Sequence, residues 1–216
     1  MHFCPALTGG ARDLTRFEAR EGRTTVPLRF EPHQSFFIIF RRPVEAPAAA
    51  AKPNVPVFAD LMEIRGPWEV RFDPKLGGPG AVAFDSLEDW SKRPEDGIRH
   101  YSGLATYRAR FDLPPGADRR AGLRLSIGTV HVMARVRLNG KDLGTAWCAP
   151  WALEIGGAVK EKGNELEIDV ANLWPNRLIG DQALPPEKRV TWTTWNPYKK
   201  GSSSGLFQYP GTIPGP

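Results

Sequence analysis

Apolar and polar side chains alternate in short runs along most of the chain after residue 60. In the run 68–72, one face is entirely apolar and the other carries Glu69 and Arg71, as in a strand with one buried and one solvated side. The same period of two recurs at residues 107–113, 123–127, 134–138, 151–155 and 166–170. Short strands without alternating helices predict an all-β fold, an antiparallel β-sandwich.

Turn-forming residues separate these predicted strands. Asn139-Gly140 predicts a tight hairpin turn, and residues 162–164 introduce the strand that follows them. The 22 glycines and 21 prolines of the 216-residue chain also favour turns over long helices. One short helix is predicted over residues 86–92, with Ser86 as its N-cap and Pro94 as its limit.

The N-terminal part has its own pattern. Alternation at 26–30 and an apolar run at 36–40 predict an N-terminal β-hairpin, which needs a neighbouring surface because an isolated hairpin is barely stable. The segment 43–56 holds four prolines and five alanines, typical of a stiff connector. We therefore expect residues 1–43 to be the remnant of a preceding β domain, 44–60 a linker, 61–200 the sandwich and 201–216 a flexible tail.

Several separated motifs carry a family resemblance. They are residues 66–70, 101–107, 136–144, Trp147, 150–151, 163–172, 172–181 and 191–198. In order and spacing, residues 61–208 resemble the sugar-binding domain of family-2-type glycoside hydrolases, and more narrowly the C-terminal β-sandwich of rhamnosidase-like family 106 enzymes. The resemblance implies a galactose-binding-like jelly roll that binds carbohydrate. It also implies that this domain belongs to a longer protein, which in that family is usually periplasmic or secreted.

The same resemblance implies how the domain is used. In that family the catalytic carboxylates lie on a barrel that precedes the sandwich, so the resemblance transfers a fold and a link to sugars but no catalytic residue. It implies a catalytic barrel domain and a carbohydrate, for example a rhamnose-containing polysaccharide, as partners. No cofactor is expected. The resemblance also admits a structural calcium ion, although no diagnostic loop for one is present.

Sugar recognition combines flat apolar faces with planar polar groups. The candidate carbohydrate-binding residues lie in irregular stretches after the predicted strands: Trp147, Trp174, Asn176, Arg177, Asp181, Trp192, Trp195 and Asn196. Trp68 and Trp151 are in phase with apolar neighbours and are predicted to be core residues. Arg177 and Asp181, four residues apart, could equally form an ion pair that pins the loop.

The amino-acid sequence leaves two other functions open. A small glycosidase would use Asp181 and Glu187 as its paired carboxylates. A nucleic-acid-binding β-surface would use Arg108, Arg110, Arg135 and Arg137 with the net charge of +5, but the charges are interspersed rather than clustered.

Other chemistry receives little support from the sequence. The four histidines and the two cysteines, Cys4 and Cys148, lack metal-ligand spacing, and the sequence does not decide whether the cysteines form a disulfide. Residues 201–205 match the G-x-S-x-G nucleophile motif, but without a preceding buried strand and a following helix they read as a polar linker. No apolar run approaches membrane-spanning length, and no secretory signal is recognisable in this chain.

Overall fold

The structure, a computed structural model, describes residues 2–5, 11–30, 34–40, 53–119 and 122–191, with the backbone alone for residues 2–5. The predicted tail, most of the predicted linker, and Trp192, Trp195 and Asn196 lie outside the described residues. The strands are β1 (His2–Pro5), β2 (Arg12–Asp13), β3 (Glu18–Arg20), β4 (Arg23–Thr25), β5 (Phe36–Ile39), β6 (Trp68–Phe72), β7 (Ala81–Phe84), β8 (Gly103–Phe111), β9 (Arg124–Ser126), β10 (Met133–Leu138), β11 (Lys141–Ala146), β12 (Ala152–Glu154) and β13 (Asn164–Asn172).

Six of these strands form the main sheet, in the order β11-β10-β13-β8-β6-β7, and each neighbouring pair is antiparallel. The antiparallel pair β9 and β12 forms a smaller second sheet. Leu125 of β9 is buried in the same core cluster as residues of β6, β8, β10 and β13. The predicted fold class, an all-β antiparallel sandwich, is confirmed.

The inner face of the main sheet is apolar because each strand places every second residue there. Trp68, Val70 and Phe72 are buried while Glu69 and Arg71 are exposed, as the alternation predicted. The core role predicted for Trp68 is confirmed, and Trp151 is partly buried against the same core.

An aromatic cluster fills the core beneath β6, β7 and β8. The ring of Phe72 lies 5.4 Å from Trp90 and 5.0 Å from Tyr101, measured between centroids, and both contacts are edge-to-face. Trp90 donates a hydrogen bond from Nε1 to the hydroxyl of Tyr107. Burial raises the pKa of Tyr107 to about 12, because the ionised phenolate would lose its hydration.

The helices are short. They are α1 (Asp96–Arg99) and α2 (Pro175–Gln182), with 3₁₀ turns at Pro74–Leu76, Trp90–Lys92 and Pro186–Lys188. The helix predicted over residues 86–92 is wrong in extent and in its cap. Only the 3₁₀ turn forms there, and Asp89 rather than Ser86 caps it by accepting a hydrogen bond from the Ser91 amide at 2.9 Å.

The N-terminal hairpin forms at a different place from the predicted one. The apolar run 36–40 forms strand β5 as predicted, but residues 26–30 form no strand, and β5 pairs instead with β1 in a three-stranded sheet of order β2-β1-β5. A tight hairpin also forms between β3 and β4, turned by Glu21 and Gly22, which both have positive φ angles. Sequence alternation could not reveal the β1–β5 pairing because the two strands are more than thirty residues apart.

One residue of the predicted linker is built into the N-terminal unit. Asn54 is buried, and its side-chain Nδ2 donates to the carbonyl oxygens of Arg16 at 2.6 Å and Pro27 at 3.2 Å. Its Oδ1 accepts a hydrogen bond from the Arg16 amide at 3.1 Å. Asn54 therefore fastens the end of the predicted linker to the segment before it.

Candidate functional site

One end of the main sheet carries the predicted site residues. Strands β6, β11 and β13 end there and β7, β8 and β10 begin there, as the register of the ladder requires. Trp147 follows β11 and Trp174 follows β13 at this end, which we call the rim. Because β10 lies between β11 and β13, their backbones are roughly 10 Å apart. The fold thus brings together residues that are distant in sequence.

Helix α2 forms part of the rim, where the sequence predicted an irregular loop. Pro175 occupies its first turn, a position where a missing N–H costs no hydrogen bond. This proline was the available sequence signal for the helix. Trp174 stands just before it and Asn176 is half-buried in its first turn, whereas Arg177 and Asp181 are buried.

Asp181 accepts hydrogen bonds from two segments of the rim, helix α2 and the chain that follows it. Its Oδ1 accepts one from Arg177 Nη2, one helical turn earlier. Its Oδ2 accepts from the amides of Val190 at 3.0 Å and Thr191 at 2.6 Å, and from the Thr191 hydroxyl at 2.7 Å. The buried pair of Arg177 and Asp181 therefore fastens the chain after α2 to the helix. This is the structural role that the sequence suggested for these two residues. Nε of Arg177 is buried without a partner among the described residues.

The ionisation of Asp181 follows from these contacts. Burial acts to raise the pKa of this carboxyl group, but hydrogen bonds from Arg177 and Thr191 outweigh burial and hold the pKa below its usual value. Only 1% of Asp181 is exposed to solvent. A buried carboxylate held in its ionised form is unsuited to act as a general acid, so the geometry gives no support to a glycosidase pair of Asp181 and Glu187.

Further hydrogen bonds join the start of α2 to the segment before β8. The hydroxyl of Ser102 donates to the Leu173 carbonyl at 2.6 Å and accepts from the Arg177 amide at 3.0 Å. Nδ2 of Asn172 donates to the Tyr101 carbonyl at 3.0 Å. The buried Ser102, which belongs to the motif at 101–107 but was given no role from the sequence, thereby positions Trp174 and Asn176.

Gly180 allows α2 to pack closely against the end of α1. A Cβ atom at this position would lie 2.5 Å from the Cβ of His100. Alanine normally stabilises a helix relative to glycine by about 1 kcal/mol, but here we expect Gly180→Ala to destabilise the protein by about 1–3 kcal/mol through overpacking. Urea denaturation measures this change.

The control for Gly180→Ala is Gly157→Ala. Gly157 is exposed, and a Cβ atom there would meet only the flexible end of Lys141 at 3.5 Å. Its free energy of unfolding should change by less than about 0.5 kcal/mol. If Gly180→Ala is as stable as the unsubstituted protein, α2 does not lie this close to His100.

The remaining predicted site residues differ in their accessibility. Trp147 is 59% exposed and Trp174 is 46% exposed, so both indole rings can reach a ligand. Cys148, next to Trp147, is a half-buried free thiol. Trp192, Trp195 and Asn196 lie outside the described residues.

The outer face of the main sheet is lined by alternating charges. Glu69, Arg108, Glu167 and Arg137 lie in one row across four adjacent strands. Arg137 contacts both Glu167 and Asp169, and these hydrogen bonds raise its own pKa. The face also holds a groove of about 1070 Å³, lined by this row together with Arg71 and Glu165.

The four arginines that suggested nucleic-acid binding are all paired on this outer face. Arg108 contacts Glu167 at 2.7 Å, Arg110 contacts Glu165 at 2.7 Å, and Arg135 contacts Asp142 at 2.6 Å; the fourth, Arg137, has the two carboxylate partners described above. Carboxylates so close to each cation would repel a phosphate backbone. The charge distribution therefore disfavours a nucleic-acid partner.

Two asparagines from the motifs of the sequence meet at the end of the sheet opposite the rim. Nδ2 of Asn139 donates to Asn164 Oδ1 at 3.0 Å and to the Ala158 carbonyl at 2.8 Å. Asn164 is fully buried. Its Oδ1 accepts a hydrogen bond from the Lys160 amide and its Nδ2 donates one to the Lys160 carbonyl, both at 2.7 Å. Asn139 and Gly140 have positive φ angles, as the predicted hairpin turn requires. These motif residues stabilise the fold and are far from the rim.

The described residues meet neither the requirements for a metal site nor those for a membrane-spanning helix. Across the described ranges, no group of three or more His, Cys, Asp or Glu side chains is arranged to hold a metal ion. None of the helices in those ranges has the length and apolar character needed to cross a membrane.

The fold and its rim define a class of protein, a β-sandwich that presents exposed aromatic residues on a rigidly hydrogen-bonded end. Comparisons with known proteins relate this sandwich to carbohydrate-active enzymes. A Formosa agariphila protein named "Putative beta-glucuronidase" is 36% identical over 171 residues, which are 67% of this chain and 15% of that protein. No protein-family model matches the chain.

A solved rhamnosidase structure gives the same relation. The rhamnosidase from Novosphingobium sp. PP1Y superposes on 93% of this chain with a TM-score of 0.73 and 32% sequence identity, and the match covers 19% of the rhamnosidase chain. A beta-glucuronidase from Ruminococcus gnavus matches 55% of this chain and 22% of its own at 20% identity, with a TM-score of 0.42. The chain is therefore a glycoside-hydrolase-related β-sandwich that spans less than a fifth of the length of the first two relatives.

Proposed function

We propose that this sandwich is an accessory module of a glycoside hydrolase, non-catalytic by itself, that contacts carbohydrate through its rim. Within such an enzyme it corresponds to the C-terminal β-sandwich of the rhamnosidase-like family 106 proteins. The match to the rhamnosidase over 93% of this chain but only 19% of that enzyme supports a role as one part of a larger protein. A catalytic barrel domain is the partner that this role requires.

The observation that carries the proposal is the pair of exposed tryptophans on a fixed scaffold. Trp147 and Trp174 stand at the same end of the sheet, and the buried Arg177–Asp181 pair holds the segment that follows Trp174. Exposed indoles on a rigid frame lose little conformational entropy when a sugar ring stacks on them. Arg177 and Asp181 then act as positioning residues, and Trp174 with Asn176 forms the contact.

Fluorescence titration with rhamnose-containing oligosaccharides tests this function. We expect a saturable change in tryptophan emission, and we expect Trp174→Ala to weaken binding about tenfold because it removes most of one stacking surface. Leu87→Ala, which removes a side chain of similar exposure outside the rim, is the matched control and should bind normally. If millimolar sugar causes no change in tryptophan emission, the module has a purely structural role.

Catalysis by the module itself is tested separately. Incubation with aryl rhamnosides and aryl glucuronides should release no phenol above the uncatalysed rate. Turnover that is lost in Asp181→Asn or Glu187→Gln would instead establish the chain as a small glycosidase.

A further inference from the structure

An apolar row crosses the otherwise charged outer face at the rim. Leu104 of β8 pairs with Ala171 of β13, which pairs with Met133 of β10. Continuing the register of β10 and β11 by one residue places Trp147 opposite Met133. We call these four residues the apolar strip. Leu104, Met133 and Trp147 are 60%, 44% and 59% exposed.

The apolar strip departs from what folding alone requires of this face. In β8, β13 and β10, the outward positions of the next rows are charged or hydroxylated, as expected for the solvated side of an antiparallel sheet. The strip lies on the opposite side of the sheet from the core, so its exposed side chains contribute little to core packing. A contiguous exposed apolar surface of this kind marks a binding site.

Polar groups lie beside the strip in the next row and are held in fixed positions. The hydroxyl of Thr106 donates to Asp169 Oδ1 at 2.7 Å. Arg135 donates to Asp142 Oδ2 from both Nε at 3.1 Å and Nη2 at 2.6 Å, and its remaining N–H groups are not used in that pair. An apolar surface flanked by ordered donors and acceptors has the two kinds of group that a sugar ring requires.

The charged side chains next to the strip are paired with opposite charges, and this restricts the charge that a ligand can carry. Asp142 neutralises Arg135, and Glu167 and Asp169 neutralise Arg137. A uronate or a sulfated sugar would gain no unpaired cation from these pairs and would lie close to the carboxylate of Asp169. The local charge therefore favours a ligand without charge.

The length of the strip restricts the ligand further. Four neighbouring strands at about 4.8 Å spacing span roughly 14 Å along the row. A row of this length suits an extended chain of several sugar rings better than a single monosaccharide.

We propose that the apolar strip, with Thr106, Asp169 and Arg135 in the row beside it, binds an uncharged linear oligosaccharide across the strands. This inference rests on the proposed function, since it assigns that function a surface and a ligand class. The ligand stacks its C–H faces on Trp147, Met133 and Leu104, while its hydroxyl groups bond the neighbouring polar row.

Isothermal titration of the full chain with a neutral oligosaccharide series tests this surface. We expect affinity to rise from one to several sugar units and to change little between 50 and 500 mM salt, because no ion pair forms with the ligand. Trp147→Ala and the double variant Leu104→Ala/Met133→Ala should each weaken binding about tenfold. Leu87→Ala, an exposed leucine outside the strip, is the matched control, and thermal unfolding should be unchanged in all of these variants.

The outcomes separate this inference from the proposed function. No binding by the unsubstituted protein overturns both. Normal binding by the strip variants together with loss in Trp174→Ala overturns the strip and retains the function. Preference for uronate oligosaccharides overturns the ligand class. If sedimentation shows self-association that the strip variants abolish, without any sugar binding, the strip is instead a contact between copies of this chain.

Discussion

Replacing Asp181 with alanine should destabilise the protein by about 3–5 kcal/mol, the usual cost of leaving a buried charge without its partner. The substitution would strand the buried Arg177 guanidinium and remove the acceptor used by Val190 and Thr191. Urea denaturation of the purified variant measures the loss. Glu187→Gln, which changes an exposed carboxylate in the same segment, should stay within about 0.5 kcal/mol of the unsubstituted protein.

The same carboxylate predicts a pH dependence. Because the pKa of Asp181 is lower in the folded state than its ordinary value of 3.8, the unfolded chain binds this proton more readily. The stability that Asp181 contributes is therefore fully present above about pH 5 and is lost as the pH falls through the folded-state pKa. The difference in unfolding free energy between the unsubstituted protein and Asp181→Asn should shrink at acid pH. A difference that is constant between pH 6 and pH 3 would contradict this.

Replacing Phe72 with alanine should also cost about 3–5 kcal/mol, through lost burial and an unfilled cavity. Phe72 is 3% exposed and contacts the rings of Phe84, Trp90 and Tyr101. Tyr101 in turn accepts a hydrogen bond from the Asp73 amide at 3.1 Å and donates one to the Leu104 carbonyl at 2.8 Å, so this cluster supports the rim.

Equilibrium unfolding followed by circular dichroism measures the effect of Phe72→Ala. Phe37→Ala is the matched control, because Phe37 is 64% exposed and its truncation opens no core cavity. A loss below about 1 kcal/mol in Phe72→Ala would mean that the aromatic cluster repacks and is not the rigid support described above.

The main sheet was predictable from the sequence because each strand carries its own alternation. The strands at residues 68–72 and 134–138 were predicted correctly, because burial of one face is a local property of a strand. The strand β7 was missed because its inward positions, Val82 and Phe84, are separated by an alanine rather than by a charge. The pairing of β1 with β5 could not be read because it depends on distant segments.

The rim was only partly predictable. Sequence indicated that Trp147 and Trp174 stand outside the regular strands, and it offered the Arg177–Asp181 pair as a structural tie. It missed α2, whose eight residues carry only a proline as a start signal, and the role of Ser102, which bonds a helix seventy-five residues later in the chain. The apolar strip was also not recognisable, because its members come from separate strands and acquire a common row only through the register.

The two edges of the main sheet limit how another polypeptide can join it. Edge strand β7 has only four residues, and edge strand β11 begins at Lys141 and contains a register shift opposite Val136 and Arg137. A short edge, and one interrupted by a bulge and headed by a lysine, are poor templates for added strands. A neighbouring polypeptide would then approach through side chains, because both edges disfavour intermolecular strand addition.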